Sequence, residues 1–486
     1  MASEWSTVLL TEAAATHGAV CLDGSPGGYH IRRRDPKKWI VFHEGGGWCL
    51  SDAECAERAQ TPLGSSRNWP TSPEDSYTDA ADLIGSHAFR NHTMVFARYC
   101  DGSSWTGNVE GPVMAASGSQ EVFYRGRRLF DALVTDLLSM RGLDAADVLL
   151  YGGCSAGALT AYLHADRVAK AVPTSVQVLV LADGMLPLPV SSWDGEPLIE
   201  RSFSWGLRAW NATGSLPPNC VEAYPGKEAW RCLVGTVAAA FVQAPLLSLG
   251  SKFDLWQQGA VIGANASIGQ VPAPVQEYWL QYAAAMEAAL VALPPSSSFF
   301  LTGCIAHCQT GSARLDPWSR GAYAGTSING TLLESAVVTW YTSQLRGTER
   351  RQHCPSSPEA ELAAGAPAAS ASQAYRWLDQ CGAQPCAGNV CGNTLWALSV
   401  SPANTWPGVL LALVTGLVVG GVASAIAWNL RLGTRLRWWC QARGRRVAGL
   451  MTARGSRADN GDQLSMVHTP VEVGAHTTYA SEPARA

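Results

Sequence analysis

The chain has 486 residues, of which 47% are hydrophobic, enough for one large domain with a well-filled core. Its formal net charge of −4 is unevenly spread. From Asn429 onward there are nine arginines, no lysine and four acidic residues, a net +5, which leaves −9 for the part before it. An acidic main part argues against nucleic acid as a partner.

Short apolar runs alternate with helical stretches before residue 303. The pattern predicts helices at 125–140 and 156–172, and strands at 39–42, 93–98, 148–151, 175–181, 245–249 and 298–302. Such alternation is typical of the α/β class. It predicts a doubly wound, mostly parallel sheet.

A glycine run, Gly45-Gly46-Gly47, directly follows the first predicted strand. Glycine lets backbone N–H groups approach a ligand closely, and HGGG-type loops of lipases and esterases use such groups to stabilise an oxyanion. The N–H of Ala156 would be a further donor, since that residue directly follows the candidate nucleophile described next. A plain flexible turn is the alternative interpretation.

The candidate nucleophile lies in Gly153-Cys154-Ser155-Ala156-Gly157, which fits the pattern Gly-x-Ser-x-Gly. The motif falls between a predicted strand and a predicted helix, where a sharp turn projects the serine above the sheet edge. The glycines are needed because side chains there would clash with the neighbouring strand and helix. We interpret Ser155 as the nucleophile; an ordinary glycine-rich turn is the alternative.

A serine hydroxyl needs a base to take its proton, and the base needs an orienting carboxylate. His307 fits the base, because it follows the last predicted strand, and Cys304 and Cys308 on either side could clamp its loop. Two aspartates compete for the acid: Asp183 follows the first strand after the nucleophile helix, and Asp254 follows the second. The second is the usual position, so we assign Asp254. Asp183 would then cap a turn or support the site.

Several segments together resemble the pectin acetylesterase family, which also includes the animal carboxylesterase Notum. They are 19–26 (AVCLDGSP), 44–49 (EGGGWC), 100–107 (CDGSSWTG), 153–157 (GCSAG), 253–257 (FDLWQ) and 306–310 (AHCQT). They occur in the family's order over roughly residues 10–341, and the cysteines at 381, 386 and 391 resemble its C-terminal cysteine motif. A set this long is far more specific than one motif.

The resemblance implies an α/β-hydrolase fold with a triad of Ser155, Asp254 and His307. It also implies an oxyanion hole formed by the N–H groups of Gly46, Gly47 and Ala156. A local disulfide between Cys49 and Cys55 is implied as well.

The plant-like form of the motifs, with Cys154 before the serine, favours removal of acetyl groups from pectin over Notum-like removal of a fatty acyl group from a protein. The chain departs from the family pattern at His43, where an aliphatic residue is usual, and at Ala158, where glycine is common. Neither change removes a catalytic group.

The composition changes after the predicted esterase domain. Residues 408–428 (GVLLALVTGLVVGGVASAIAW) are 21 residues without a charge, flanked by Trp406 and Trp428 and followed by clustered arginines. The pattern favours a membrane span with a cytoplasmic tail and a lumenal or extracellular main domain; a buried core helix is the alternative. We predict an esterase domain at 1–346, followed by a Pro/Ala/Ser-rich linker at 347–380. After it come a Cys-containing juxtamembrane segment at 381–405, a transmembrane helix at 406–428 and a basic, disordered tail at 429–486.

The cysteines agree with this orientation. Thirteen of the 14 precede the span, as expected for oxidised pairs outside the cytosol, and because thirteen is odd at least one is free or paired between chains. Candidate glycosylation sites lie on the same side, at Asn91, Asn211, Asn265 and Asn329. The first twenty residues lack the features of a signal peptide, so we expect an incomplete or processed N-terminus, which sequencing the 5′ end of the transcript would test.

The leading hypothesis is a membrane-tethered serine carboxylesterase that removes acetyl groups from an extracellular or cell-wall polysaccharide such as pectin. No metal or organic cofactor is implied, because the cysteines lack a zinc pattern. A Notum-like lipid deacylase of a protein is a second hypothesis and would need a deep apolar pocket. A non-catalytic surface receptor on a hydrolase scaffold is a third, against which the intact Ser, Asp and His argue.

Overall fold

The computed structural model describes residues 5–70, 80–115, 120–264, 270–311, 323, 325–352 and 375–378. Within these ranges the strands are β1 (Trp5–Leu9), β2 (Gly28–Arg32), β3 (Asp35–His43), β4 (His92–Ala97), β5 (Val113–Met114), β6 (Glu121–Val122), β7 (Val148–Cys154), β8 (Gln177–Asp183), β9 (Leu246–Ser251), β10 (Ser298–Thr302), β11 (Ser327–Ile328), β12 (Thr331–Leu332) and β13 (Arg376–Leu378).

The α-helices of the same ranges are α1 (Thr11–His17), α2 (Asp52–Arg58), α3 (Ala81–Gly85), α4 (Gly126–Arg141), α5 (Ala156–Ala171), α6 (Leu198–Ala209), α7 (Pro218–Ala223), α8 (Gly235–Ala238), α9 (Leu255–Ala260), α10 (Ala273–Val291) and α11 (Leu333–Gln352).

Nine of these strands form one sheet in the order β1-β2-β4-β3-β7-β8-β9-β10-β13. The pairs β1–β2 and β2–β4 are antiparallel, and every other neighbouring pair is parallel. The register places His43, Gly153 and Ala182 side by side, so β3, β7 and β8 end at the same edge. Loops that follow these strands therefore meet at the carboxyl edge of the sheet, where open α/β sheets form their sites.

Separate hydrophobic clusters cover the two faces of the sheet, because side chains alternate along each strand. In β3, Trp39 and Val41 belong to one cluster, and Ile40 and Phe42 belong to the other. Helices α4 and α5 contribute to the first cluster and helix α11 to the second. The sheet is therefore buried between two helical layers, as in a doubly wound fold.

The prediction of an α/β protein with a mostly parallel sheet is confirmed. Each predicted strand overlaps an observed one, and the predicted helices correspond to α4 and α5. The first two strands were not predicted. In β1 only Trp5 is buried, so its sequence lacks the alternation of a half-buried strand.

The predicted linker at 347–380 needs correction at both ends. Helix α11 continues to Gln352, and Arg376–Leu378 pairs in parallel with β10 as an edge strand. Trp377 packs on Phe300, with ring centroids 6.0 Å apart. The Pro/Ala/Ser-rich composition before this strand obscured it, because three residues are too few for a periodic signal.

Several predictions fall outside the described residues. These are the Cys-containing segment, the uncharged run and the basic tail, at 381–405, 406–428 and 429–486, together with the sequon at Asn265. Among the helices that the structure describes, none combines the length and the apolar character needed to cross a membrane.

The cysteines of the described ranges are oxidised, as predicted. Four disulfides have both partners in these ranges, and they join Cys21 to Cys100, Cys49 to Cys55, Cys154 to Cys308 and Cys220 to Cys232. Cys304 is also disulfide-bonded. The family resemblance implied the pair Cys49–Cys55, whereas the long-range pairs could not be deduced, because several cysteines allow many connectivities.

His43 is an ionisable group buried in the core at the carboxyl end of β3. Its ring lies between those of Trp105 and Tyr151, with centroids 4.6 and 5.1 Å away. Neither ring nitrogen has a hydrogen-bond partner among the described residues. Burial lowers the pKa of His43 from 6.5 to about 3, so the folded protein holds this ring neutral.

We predict that His43→Leu makes the protein less sensitive to acid. In the unfolded chain this histidine has an ordinary pKa of 6.5 and binds a proton, whereas in the folded protein it stays neutral down to about pH 3. The free energy of unfolding therefore falls as the pH drops from 6.5 towards 3. The melting temperature of the variant should therefore fall less between about pH 7 and about pH 4.5 than that of the wild type. His92 and His164, whose pKa values burial also lowers, are present in both proteins, so the difference isolates His43. Equal losses would contradict the prediction.

Candidate active site

Ser155 lies in a tight turn between β7 and α5. Its backbone has φ 55° and ψ −119°, a conformation that is rare for any residue except glycine. A β-carbon on Gly157 would come 2.0 Å from the carbonyl oxygen of His43, and one on Gly153 would come 2.5 Å from the Gly157 backbone. Glycine is therefore required at both positions, because the helix begins directly against strand β3.

His307 joins Ser155 to Asp254. Its Nε2 lies 2.7 Å from Ser155 Oγ, and its Nδ1 lies 2.8 Å from Asp254 Oδ2. In the tautomer that carries the proton on Nδ1, the ring donates to the carboxylate and accepts from the serine hydroxyl. The structure thus brings together three residues that the sequence separates by 53 and 152 positions.

Asp254 is held at the start of helix α9. Its Oδ1 accepts hydrogen bonds from the backbone N–H groups of Trp256 and Gln257, at 2.9 and 3.0 Å. The same carboxylate therefore caps the helix with one oxygen and orients the His307 ring with the other. Only 1% of Asp254 is exposed, so these donors replace the solvation it lacks.

Asp183, the other aspartate considered for the acid, makes different contacts. Its Oδ2 accepts from the N–H groups of Gln309 and Thr310, at 2.6 and 2.7 Å, and from the Thr310 hydroxyl at 2.8 Å. Burial raises its pKa to about 7. The carboxylate holds the loop that follows His307, whereas the ring itself meets Asp254.

Side chains hold the glycine loop after β3 by hydrogen bonds to its carbonyl groups. The Gly46 carbonyl accepts from Arg58 Nη2 at 2.7 Å, and the Gly47 carbonyl accepts from the Tyr99 hydroxyl at 2.8 Å. Both glycines have positive φ, 130° and 66°. In the described part of the chain, the backbone N–H groups of Gly46, Gly47 and Ala156 donate to no backbone carbonyl outside regular secondary structure. Backbone N–H groups without a bound carbonyl are the kind of donor that an oxyanion hole requires.

The segment around residues 99–107 supports this loop, a role that we did not predict from its sequence. The Ser104 hydroxyl donates to the carbonyl of Ala156 and accepts from Trp48 Nε1, both at 2.8 Å. Glu44 Oε2 accepts from the Tyr99 N–H at 2.8 Å and forms an ion pair with Arg98. The partners are distant in sequence, so spacing alone did not reveal them.

Aromatic rings lie beside the candidate triad. The Trp48 ring is 5.4 Å from Phe203 and 5.2 Å from Trp256, and Trp256 is 6.2 Å from the His307 ring. Both tryptophans are partly exposed. With the Trp48 ring tilted by 60° to Trp256 and by 89° to Phe203, they give the site an apolar wall that can contact a substrate.

The candidate glycosylation sites of the described ranges lie on the surface. Asn91, Asn211 and Asn329 are exposed, and Asn329 is in the turn of the β11–β12 hairpin. Asn211 also donates its side-chain amide to the Asn108 carbonyl at 2.9 Å.

Comparison with known proteins agrees with the geometry. A model of the pectinacetylesterase family matches residues 2–360. Pectin acetylesterase 11 of Arabidopsis thaliana is 31% identical over 365 residues, which cover 71% of this chain and 89% of the relative. The palmitoleoyl-protein carboxylesterase NOTUM of Homo sapiens is 27% identical over 339 residues, which cover 66% of this chain and 63% of that protein. The chain therefore belongs to the pectinacetylesterase family and is a carboxylic ester hydrolase.

Proposed function

We propose that the protein hydrolyses acetyl esters of a polysaccharide such as pectin through an acyl-enzyme formed on Ser155. The observation that supports the mechanism is the continuous hydrogen-bond chain from Ser155 Oγ through His307 to Asp254, at 2.7 and 2.8 Å. Such a chain activates a serine hydroxyl, because the imidazole can take its proton and the carboxylate stabilises the imidazolium that forms.

In the first half-reaction Ser155 Oγ attacks the acetyl carbonyl carbon and its proton passes to His307 Nε2. The tetrahedral oxyanion accepts hydrogen bonds from the N–H groups of Gly46, Gly47 and Ala156. Collapse of the intermediate breaks the bond to the sugar oxygen, which takes the proton from His307 and leaves as a hydroxyl. Asp254 holds the ring throughout.

In the second half-reaction water attacks the acetyl-enzyme. His307 accepts the proton of the water, the same N–H groups stabilise the oxyanion, and acetate leaves as Ser155 regains its proton. The backbone donors are fixed before the substrate arrives, since Arg58 and the Tyr99 hydroxyl hold the carbonyl groups of the glycine loop.

The choice of an acetyl group and of pectin as the substrate is supported by the relatives of this chain. The pectin acetylesterase relative is more similar to this chain than the NOTUM relative and is covered over more of its length. The partly exposed rings of Trp48 and Trp256 suit the apolar face of a sugar. The same wall, with Phe203, could instead contact a fatty acyl chain, so a Notum-like deacylase is the second candidate.

Replacing the nucleophile or the acid should reduce turnover of nitrophenyl acetate by different amounts. We expect Ser155→Ala to lower kcat by about 10⁴-fold or more, and Asp254→Asn to lower it about 10³–10⁴-fold, because the amide favours the wrong histidine tautomer. Ser139→Ala and Asp144→Asn, changes at exposed positions, are the matched controls and should keep the wild-type kcat. Full activity of Ser155→Ala would refute the mechanism.

Acyl-chain preference separates the two candidate substrates. If the enzyme removes acetyl groups, kcat/KM should be higher for nitrophenyl acetate than for the octanoate, and purified protein should release acetate from acetylated pectin. A preference for the octanoate with no acetate released would favour the lipid deacylase instead.

We further propose that the uncharged run at 408–428 tethers the catalytic domain to a membrane, with this domain lumenal or extracellular. Expressed in a secretory host, the full chain should resist carbonate extraction, and deletion of 408–428 should release it. Asn91→Gln, Asn211→Gln and Asn329→Gln should each remove one glycosidase-sensitive step in electrophoretic mobility. Release of the full chain by carbonate would contradict the membrane tether. The absence of a mobility shift on glycosidase treatment would contradict the lumenal or extracellular position of the catalytic domain.

A further inference from the structure

A covalent bond joins the two turns that hold the candidate nucleophile and base. Cys154 directly precedes Ser155, Cys308 directly follows His307, and the two cysteines form a disulfide across 154 positions of sequence. Both are buried, with 0% and 4% of their surface exposed. The disulfide therefore links the backbone next to the serine to the backbone next to the histidine.

Asp183 links the same two turns by hydrogen bonds. It is paired with Cys154 in the sheet register, and its backbone carbonyl accepts from the Ser155 N–H at 2.8 Å. Its side chain accepts from the N–H groups of Gln309 and Thr310, at 2.6 and 2.7 Å. One residue thus contacts the nucleophile through its backbone and the loop after the base through its carboxylate.

The His307 loop also packs closely on the residue that follows Asp183. A β-carbon on Gly184 would come 2.6 Å from the His307 carbonyl oxygen. At its other end the loop is held by the Ser251 hydroxyl, which donates to the Cys304 carbonyl. The position of the imidazole therefore depends on contacts at the ends of β8 and β9.

We propose that Asp183 is a positioning residue of the esterase, which together with the Cys154–Cys308 disulfide sets the place of His307 relative to Ser155. The inference rests on the proposed triad and adds to it a residue that touches neither the substrate nor the imidazole ring nitrogens. A misplacement of reacting groups by about 1 Å can reduce turnover about 100-fold, so loss of this support should appear in kcat.

Asp183 makes all three contacts through one acceptor oxygen, Oδ2. Burial raises its pKa to about 7 even though the donors from Thr310 and Gln309 favour the ionised form. Its Oδ1 makes no hydrogen bond among the described residues. An asparagine can place its carbonyl oxygen at the Oδ2 position and its amide at the Oδ1 position, and so keep all three hydrogen bonds.

The test compares Asp183→Ala with Asp183→Asn, with kcat expressed per titrated active site. We expect Asp183→Ala to lower kcat about 100-fold while KM changes less than about threefold, and Asp183→Asn to keep kcat within about fivefold of the wild type. A kcat for Asp183→Ala within threefold of wild type would overturn the proposal. So would an asparagine variant as slow as the alanine variant.

The disulfide is tested by Cys154→Ser with Cys308→Ser, against Cys220→Ser with Cys232→Ser as the matched control. The control pair joins helix α7 to the 3₁₀-helix at Gly226–Leu233, and neither contributes a residue to the triad. We expect the first double variant to lower kcat about tenfold, and the control to lower the melting temperature while keeping kcat. Equal kcat values for the two double variants would contradict the proposal.

A milder variant covers the case in which Asp183→Ala does not fold. Thr310→Val removes one of the three hydrogen bonds and keeps the shape of the side chain. It should lower kcat by about threefold to tenfold, and an unchanged kcat would overturn the proposal. Wild-type protein without ester hydrolysis would refute the proposed function itself, whereas an active wild type with unaffected variants would refute this inference alone.

Discussion

The site depends on how closely helix α5 approaches the end of strand β3. Gly157 packs its backbone on the His43 carbonyl oxygen, where a β-carbon would be only 2.0 Å away. Two residues before this contact, Ser155 has a positive φ of 55°, a conformation that costs of order 1–3 kcal/mol in isolation. The surrounding sheet holds it, since β7 is buried along its whole length and the Ser155 N–H donates to Asp183. The same approach sets the glycine loop after β3 beside the helix N-terminus.

Carboxylate side chains that accept hydrogen bonds from backbone N–H groups hold the segments around this turn. Loops that leave the end of a parallel sheet have backbone N–H groups without strand partners, and carboxylates that are buried or mostly buried accept hydrogen bonds from them here. Asp254 accepts from the start of α9, Asp183 from the loop after His307, and Glu44 from Tyr99. Each of these three carboxylates therefore receives hydrogen bonds from backbone N–H groups, and each set of donors is held in place by a carboxylate. Disulfides add covalent links at the same places, which suits an oxidising compartment.

Much of this arrangement could be predicted from the sequence, because the informative signals are local. The Gly-x-Ser-x-Gly turn and the glycine run needed only neighbouring residues and led to Ser155. The succession of predicted strands along the chain then led to Asp254 and His307. The link between Cys154 and Cys308 could not be predicted, since connectivity among several cysteines depends on the folded chain. The anchoring of the glycine loop by Arg58 and Tyr99 is likewise long-range. Strand β13 was missed because three residues carry no period and are stabilised by tertiary pairing with β10.

In the mechanism that we propose, Ser155 is an activated nucleophile. Labelling the native protein with a fluorophosphonate, followed by mass spectrometry of its peptides, tests this most directly, because such probes react with serines that a neighbouring base activates. We predict a stoichiometric label on Ser155, no label after unfolding, and loss of esterase activity in proportion to labelling. A label on another serine with parallel loss of activity, or full activity in a protein that takes up no label, would contradict it.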